Sequence, residues 1–249
     1  MKAVYVVFMM LFAGIFLYSM RGIFSYHKDA AQNAGETREM IREVSQRMPE
    51  DNGDEMAEQQ IDFAKLKQIN ADAVGWIAFH DPYVNNPLVQ TDNNSYYLKH
   101  SFRKKENAAG CLFMDCRNES LDDRNVVIYG HNMLDRTMFG SLKDVFRERF
   151  WEKPEHDRIR ITDPDQHIRE YEIFSYYITG EENDYSTTSF SDAAAYAEFL
   201  REITARSFRK LPVTVTEDDH ILTLSTCAGV AGTSKRRVIH AKWIGTSFN

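Results

Sequence analysis

HILTLSTC, residues 220–227, is an apolar run that predicts a β-strand ending in a thiol. An eight-residue loop with two glycines separates it from RRVIHAKWI, residues 236–244, which predicts a second strand. If the two strands pair antiparallel, Cys227 and Arg236 become neighbours at one edge of the sheet. Arg237 then points to the other face, although a bulge in the long loop would exchange the two arginines.

A third apolar run, NVVIYGH at residues 125–131, ends in a glycine and His131. Thiol-based acyl transfer needs a thiolate nucleophile, an acid–base group that moves protons and a cation or donor for the oxyanion. We therefore take Cys227, His131 and Arg236 as the candidate catalytic residues. His240 is the rival imidazole, but it lies in mid-strand and is expected in the core or in support of the site.

Short β-like runs dominate the rest of the chain, with few helices between them. This pattern predicts a closed or nearly closed β-barrel. The predicted strands cover residues 74–79, 87–90, 110–114, 125–129, 158–162, 168–178, 220–227 and 236–244. Helices are predicted at 55–70, at 136–146 and at 191–207, the last with Ser191 as its N-cap.

The N-terminus has a different character, because residues 4–20 are 17 uncharged and mostly apolar residues. That run is short for a membrane span but long for the core of a cleaved signal peptide. We predict a cytoplasmic stub and single transmembrane anchor over residues 1–28. A polar stalk with a helix at 36–48 is predicted over 29–60, and an extracytoplasmic catalytic domain over 61–249. A cleaved signal peptide is the alternative.

Composition argues against several classes of function. The 249 residues carry 30 basic and 37 acidic side chains, a net charge of −7, which is unfavourable for binding nucleic acid. Cys111 and Cys116 lie five apart in one predicted strand, so they would point to opposite faces and are poor disulfide partners. The Cys/His spacing of a structural zinc site does not occur in the sequence, and we predict neither a metal nor a cofactor.

Three of these segments resemble the motifs of one enzyme family, the sortases. LTLSTC at 222–227 resembles their TLxTC signature, and YGHNM at 129–133 resembles their strand-end histidine motif. RRVIHAK at 236–242 resembles their R-x-V-x-H-A-K strand, which places the family arginine on Arg236. Class B is indicated by further similar segments at 69–77, 90–98, 113–118 and the helix near 191–207. Cys116 and Arg237 depart from the pattern, which more often has an aromatic and an apolar residue there.

The resemblance implies a mainly β fold with α additions: an eight-stranded sortase-type β-barrel with N-terminal helices and one helix inserted between two late strands. It also implies cysteine transpeptidation on surface proteins of Gram-positive cells. Cys227 would attack a carbonyl in a C-terminal sorting signal, and an amine of a cell-wall precursor would release the resulting thioacyl enzyme. His131 would move the protons, and Arg236 would stabilise the oxyanion or hold the substrate backbone.

The same resemblance suggests which residues bind the sorting peptide. Similarity to class B points to Asn94, Leu98 and Tyr185, while Ser225 and Thr226 could supply hydrogen bonds near the thiol. A sorting motif of Asn-Pro-x-Thr type or a related pentapeptide is expected. Three other functions stay open: a thiol peptidase that passes the acyl group to water, a pilus-subunit polymerase and a non-catalytic surface adhesin.

Overall fold

The computed structural model describes residues 2–47, 59–79, 84–152, 156–229 and 233–248. Its helices are α1 (Lys2–Val44), α2 (Phe63–Ile69) and α3 (Ala193–Ala205). Its strands are β1 (Ser45–Arg47), β2 (Gln59–Ile61), β3 (Ala73–Phe79), β4 (Val84–Val89), β5 (Leu112–Met114), β6 (Asn125–Tyr129), β7 (Arg158–Thr162), β8 (His167–Gly180), β9 (Ile221–Cys227) and β10 (Lys235–Phe248). Short 3₁₀ helices cover Tyr96–Leu98, Gly140–Asp144 and Glu148–Glu152.

Eight strands close into a barrel in the order β10-β8-β7-β3-β4-β5-β6-β9. Most neighbours pair antiparallel, whereas β4 with β5 and β6 with β9 pair in parallel. Each strand predicted from the sequence overlaps one strand of this barrel, so the eight-stranded barrel is confirmed. The short strands β1 and β2 form a separate two-stranded ribbon.

Alternation along β9 decides which of its side chains fill the barrel, because successive residues of a strand point to opposite faces. Leu222 and Leu224 belong to the core inside the barrel. Ile221 points outward and joins a second apolar layer under α3. Cys227 has the same parity as Ile221, so its thiol lies on the outer face of the barrel.

Helix α3 covers that outer face with four apolar residues that share one helical face: Tyr196, Phe199, Leu200 and Ile203. The helix follows Asp192, whose carboxylate accepts a hydrogen bond from the backbone N of Ala195 at 2.8 Å. The prediction that Ser191 is the N-cap is therefore wrong by one residue, since aspartate caps a helix as well as serine does. The predicted helix between two late strands is confirmed.

The helix predicted at 136–146 is wrong. The segment forms turns and then the 3₁₀ helix Gly140–Asp144. Arg136 and Met138 have φ angles of 71° and 49°, and right-handed helices require negative φ. The Asp135 carboxylate stabilises this turn by accepting a hydrogen bond from the backbone N of Thr137 at 3.1 Å.

The helix predicted at 55–70 is shorter than expected. α2 begins after Asp62, whose carboxylate accepts a hydrogen bond from the backbone N of Lys65 at 2.9 Å. Gln59–Ile61 is extended and pairs with β1 instead. Residues 48–58, which include the break predicted near Pro49, lie outside the described part of the chain.

Helix α1 is one continuous element of 43 residues. Its first part is exposed, and it is long and apolar enough to cross a membrane, with a mean hydropathy of 1.9 over its most apolar window. Its second part is docked on the barrel, where Ala30, Asn33, Met40 and Val44 are buried. Residues 29–44, which belong to the predicted polar stalk, are therefore packed against the domain. The segment is polar in composition, but one face of the helix is buried.

Candidate active site

The thiol of Cys227 and the guanidinium of Arg236 meet where β9 ends and β10 begins. Their Cα atoms are partners across the antiparallel β9–β10 ladder. Arg236 Nη1 lies 3.4 Å from the Cys227 sulfur and donates to it. The register predicted from the sequence is therefore confirmed, and both side chains are half-buried rather than enclosed.

Arg237 is directed to the opposite face of β10. Its guanidinium lies 5.8 Å from the centre of the Phe146 ring, and its Nη1 donates to the Cys227 backbone O at 3.3 Å. Burial lowers the pKa of Arg237, as expected for a charge on the inner face of the barrel. The bulge that would have exchanged the two arginines does not occur at these positions.

Arg236 is held in place by groups that the sequence did not indicate. Its Nη1 donates to the Thr233 backbone O at 2.7 Å, and its Nη2 forms an ion pair with the Glu181 carboxylate. Glu181 follows β8 directly, and its backbone N donates to the Ser234 backbone O at 2.9 Å. The β8–α3 segment and the β9–β10 loop are thereby joined around the arginine.

His131 reaches the same edge from the other neighbour of β9. β6 runs parallel to β9, with Tyr129 paired to Ser225. Both parallel strands therefore end at the same edge of the barrel, and the Gly130 backbone N, directly before His131, donates to the Ser225 backbone O at 3.3 Å. Asn132 Nδ2 also donates to the Gly229 backbone O at 3.1 Å, which ties the segment after His131 to the segment after Cys227.

One nitrogen of the His131 ring is already engaged. His131 Nε2 lies 2.8 Å from the Leu98 backbone O. A carbonyl oxygen can only accept a hydrogen bond, so Nε2 carries a proton. Nδ1 is therefore the nitrogen that is available to take up or release a proton in the site.

Gly110 allows the loop that holds His131 to pack closely against the ring. Its φ is +63°, and a Cβ there would collide with the Tyr97 backbone O and would lie 3.2 Å from His131 Cδ2. Only glycine accepts both the left-handed conformation and this approach. The backbone between Tyr97 and Gly110 is thus a support for the imidazole.

Tyr185 and Ser225 form a hydrogen-bonded pair beside the thiol. The Tyr185 hydroxyl lies 3.0 Å from Ser225 Oγ, and both side chains are buried. Burial raises the pKa of Tyr185, while the hydrogen bond with Ser225 and the charge of Arg236 oppose that rise. The structure therefore brings these two predicted substrate-binding residues together under the β8–α3 segment.

The other three predicted substrate-binding residues, Thr226, Asn94 and Leu98, each have a different setting. Alternation places the Thr226 side chain on the inner face of β9, away from the thiol, and its buried Oγ1 has no hydrogen-bond partner in the described part of the chain. Asn94 Oδ1 accepts from the backbone N of Cys116 at 2.8 Å. Leu98 contributes its backbone O to His131. Substrate binding by these three residues stays a prediction.

A second ionic cluster next to the site was not predicted. The Asp115 carboxylate accepts hydrogen bonds from Arg117 Nη2 at 2.7 Å and from the Tyr129 hydroxyl at 2.8 Å. Burial alone would raise the pKa of Asp115, but these hydrogen bonds outweigh it and lower the pKa to about 2. Arg117 also donates to the Ser186 backbone O at 2.8 Å, so the cluster holds the segment that carries Tyr185.

His240 is a fully buried part of a directed hydrogen-bond chain. Asn125 Nδ2 donates to the Thr187 backbone O at 2.8 Å, which fixes the orientation of the amide. Thr223 Oγ1 then donates to Asn125 Oδ1 at 2.7 Å. His240 Nδ1, 2.8 Å from Thr223 Oγ1, must therefore donate, and the Tyr177 hydroxyl donates to Nε2 at 2.9 Å.

This chain leaves His240 neutral, with its proton on Nδ1. Burial lowers its pKa to about 3, and the positive charge of Arg206 acts in the same direction. The expectation that His240 lies in the core is confirmed. The hydrogen-bond chain that begins at His240 ends at the Thr187 backbone O, in the segment between β8 and α3 that also carries Tyr185.

A group of acidic and histidine residues on the β7–β8 turn resembles a metal site by composition. Asp163, Asp165 and His167 offer atoms within 4.8 Å of one another. Asp163 Oδ2 already accepts hydrogen bonds from Arg169 Nη1 at 2.6 Å and from His167 Nδ1 at 3.0 Å. The group is explained by the ion pair and the turn, and we assign no metal to it.

Comparison with known proteins identifies the architecture. The sortase domain family matches residues 84–244. The chain is 36% identical over 189 residues to sortase B of Staphylococcus aureus, covering 74% of this chain and 75% of that protein. The chain belongs to the sortase family, class B. A solved structure of sortase B from Bacillus anthracis is 34% identical, with a TM-score of 0.74 over 88% of this sortase and 99% of that chain. A sortase B structure complexed with triglycine is 35% identical, with a TM-score of 0.67, and the match covers 74% of this sortase and 85% of that chain.

The likeness extends from sequence motifs to the whole barrel. The closed eight-stranded barrel with few helices is the architecture of the solved sortase B structures. This sortase is accordingly a cysteine transpeptidase of the sortase B type. The implied fold and enzyme class are confirmed, whereas the roles of individual residues remain to be argued from the geometry.

Proposed function

We propose that this sortase is a membrane-anchored transpeptidase that cleaves a C-terminal sorting signal and transfers the surface protein to an amine of a cell-wall precursor. The observation that carries the proposal is the convergence of three strand ends. Cys227 and Arg236 are in contact at 3.4 Å, and the parallel β6–β9 register brings His131 to the same edge. Sulfur, guanidinium and imidazole are the set that acyl transfer through a thioester uses.

In the first half-reaction the Cys227 thiolate attacks the scissile carbonyl carbon, and the carbonyl π electrons move to oxygen. Arg236 Nη1 lies close enough to the sulfur to donate to that oxyanion. When the tetrahedral intermediate collapses, the C–N bond breaks and His131 Nδ1 gives its proton to the leaving amine. The product is a thioacyl enzyme in which Cys227 holds the surface protein.

In the second half-reaction an amine attacks the thioester carbonyl. His131 Nδ1, now unprotonated, accepts a proton from the incoming amine, so the same nitrogen returns to its starting state. The C–S bond breaks, a new amide forms and Cys227 leaves as the thiolate. Arg236 keeps its proton throughout, since a guanidinium is not deprotonated in proteins.

The apolar part of α1 supports the membrane attachment in this proposal. It is exposed along its length, and its mean hydropathy is 1.9 over the most apolar window. The same helix continues without a break into contacts with the barrel at Ala30 and Asn33, so an uncleaved apolar run would hold the barrel next to the membrane. We therefore assign residues 1–28 to a stub and anchor, with the barrel outside the cell.

Mass spectrometry of a chain that begins at residue 29 tests the reaction. The chain is incubated with a library of Asn-Pro-x-Thr-type peptides, with and without triglycine, the amine held by a related sortase B. We expect a ligated amide with triglycine and a mass adduct on Cys227 during turnover. A product that is always the free acid would instead assign the enzyme to hydrolysis.

Two cysteine variants make this test specific. Cys227→Ala is expected to lose all cleavage while it keeps its fold, because Cys227 is only half-buried. Cys116→Ala, at the other half-buried free cysteine, is expected to keep full activity. Cleavage retained by Cys227→Ala would end the proposal.

A further inference from the structure

The docked part of α1 presents one regular stripe to the catalytic domain. Tyr26, Ala30, Asn33, Met40 and Val44 recur at spacings of three, four and seven, which is one face of an α-helix. The last four are buried, and Tyr26 is half-buried. The stripe begins only six residues after the apolar run that ends at Met20.

Tyr26, at the N-terminal end of this stripe, contacts the loop that follows His131. The Tyr26 hydroxyl accepts a hydrogen bond from the Leu134 backbone N at 3.1 Å and lies 3.7 Å from the Met133 sulfur. Two turns further along α1, Asn33 Nδ2 donates to the Gly110 backbone O at 3.2 Å. α1 therefore braces both segments that flank the His131 ring.

Leu134 is exposed at the end of the domain nearest the apolar helix. Its side chain is 74% exposed, more than any other large apolar side chain of the described barrel. Ile23 and Phe24, one turn above Tyr26, are 55% and 73% exposed. Leu134 is attached to α1 through the Tyr26 hydroxyl, one turn from Ile23 and Phe24, so a bilayer that surrounds those two side chains would lie close to it.

The length of the apolar run places the edge of the bilayer at this level. Seventeen helical residues rise about 26 Å, whereas the hydrocarbon core is about 30 Å thick and needs about 20 residues. On the side of the barrel the run is followed by Arg21, Gly22 and Ile23, and an Arg21 side chain that reaches toward the headgroups allows the core to end near Ile23. Tyr26, about one turn further on, falls in the interface region that tyrosine prefers.

We propose that the loop after His131 rests on the outer surface of the bilayer, with the Leu134 side chain in the lipid headgroup region beside α1. The partner of this surface is the phospholipid bilayer itself. The inference rests on the proposed membrane anchor and adds a second point of contact to it. Two contacts fix the tilt of the barrel, and His131, three residues before Leu134, is held close to the lipid surface.

Tryptophan quenching in the full-length protein tests this contact. The protein is inserted into nanodiscs whose phospholipids carry bromine high on the acyl chains, and three variants are compared with the parent. Leu134→Trp reports the proposed contact, and Phe12→Trp reports insertion of the helix. Phe208→Trp is the control, because Phe208 is 62% exposed but packs against Phe146.

We expect quenching of the tryptophans at 134 and 12 and none at 208. Quenching at 12 without quenching at 134 would overturn the contact but leave the anchor standing. Absence of quenching at 12 would overturn the anchor and the contact together. Equal quenching at 134 and 208 would mean that the barrel lies on lipid without a preferred face, which also contradicts the proposal.

A functional comparison separates a role of the surface from a general loss of activity. Leu134→Asp in nanodiscs is expected to lower turnover of a lipid-tethered sorting peptide several-fold. Turnover of the same peptide free in solution is expected to stay unchanged, because Leu134 contacts none of the reacting groups. An equal loss with both substrates would show that the substitution disturbs the His131 loop and would contradict the proposed role.

Discussion

Arg236 Nη1 lies 3.4 Å from the Cys227 sulfur, and the two Cα atoms are paired across β9 and β10. This contact distinguishes the two adjacent arginines, because Arg236 reaches the thiol from the outer face of the sheet. Arg237 leaves the strand on the other face and is directed at Phe146. The two arginines therefore provide a matched pair of variants.

Arg236→Ala is expected to lower kcat for peptide cleavage about 100- to 1,000-fold, equivalent to about 2.7–4 kcal/mol, as for loss of one oxyanion donor. Arg237→Ala is expected to lower thermal stability with a much smaller effect on kcat, since its guanidinium packs on Phe146. Steady-state kinetics and thermal unfolding of both variants check this. The reverse ranking of kcat would contradict the register.

Glu181 is expected to position Arg236. Glu181→Gln removes the ion pair with Nη2 and is expected to lower kcat several-fold without much change in KM. The control is Glu182→Gln, whose neighbouring carboxylate has no ion pair with Arg236. In a double-mutant cycle with Arg236→Lys, the two losses should be less than additive, because a lysine cannot hold Glu181 and reach the sulfur together. Full additivity would argue against the coupling.

His240 gives the stability of the enzyme a specific pH dependence. Its pKa is about 3 in the folded state against about 6.5 when unfolded, so the unfolded chain binds the proton more readily. The stability that neutral His240 contributes is fully present above pH 6.5 and is lost as pH falls toward 3. As pH falls, the free energy of unfolding of the parent enzyme should decrease more steeply than that of His240→Gln. The difference between the two slopes should reach about 1.4 kcal/mol per pH unit. Denaturation at pH 7, 6 and 5 measures the two slopes, and equal slopes would refute this.

The tautomer of His240 is a separate and sharper expectation. The hydrogen-bond chain through Thr223 and Asn125 requires the proton on Nδ1. Nitrogen NMR of histidine-labelled protein should show ring signals of His240 that are typical of the Nδ1–H tautomer. Their chemical shifts should stay constant between pH 5 and 8. Asn125→Ala should release the constraint and also loosen the segment that carries Tyr185, which would raise KM more than it lowers kcat.

Removing α1 in two steps separates the anchor from the docked stripe. A chain that begins at residue 29 keeps Ala30, Asn33, Met40 and Val44 and is expected to fold. A chain that begins at residue 45 loses the buried Met40 and Val44 side chains, at a cost of about 3–6 kcal/mol. Chemical denaturation compares the two chains, and equal stability would show that the stripe contributes nothing.

Much of the barrel could be predicted because its strands are short apolar runs bounded by turn residues. The alternation that places Cys227 and Ser225 on the outer face also places the Thr226 side chain inside, and this could be read from the sequence. The Glu181 contact could not be read from the chain, since it depends on how two distant loops meet. The turn at Arg136 and Met138 was missed because no glycine marks its positive φ angles.

The topology of the barrel also governs when catalytic competence arises. β9 is bonded on one side to β6 and on the other to β10, and partners such as Asn125 and Ile221 are far apart in the chain. Pairings of such long sequence separation form late in folding. The candidate site is therefore complete only after the last strand of the chain has paired, and a chain that ends before β10 lacks Arg236 and leaves β9 without one of its two neighbours.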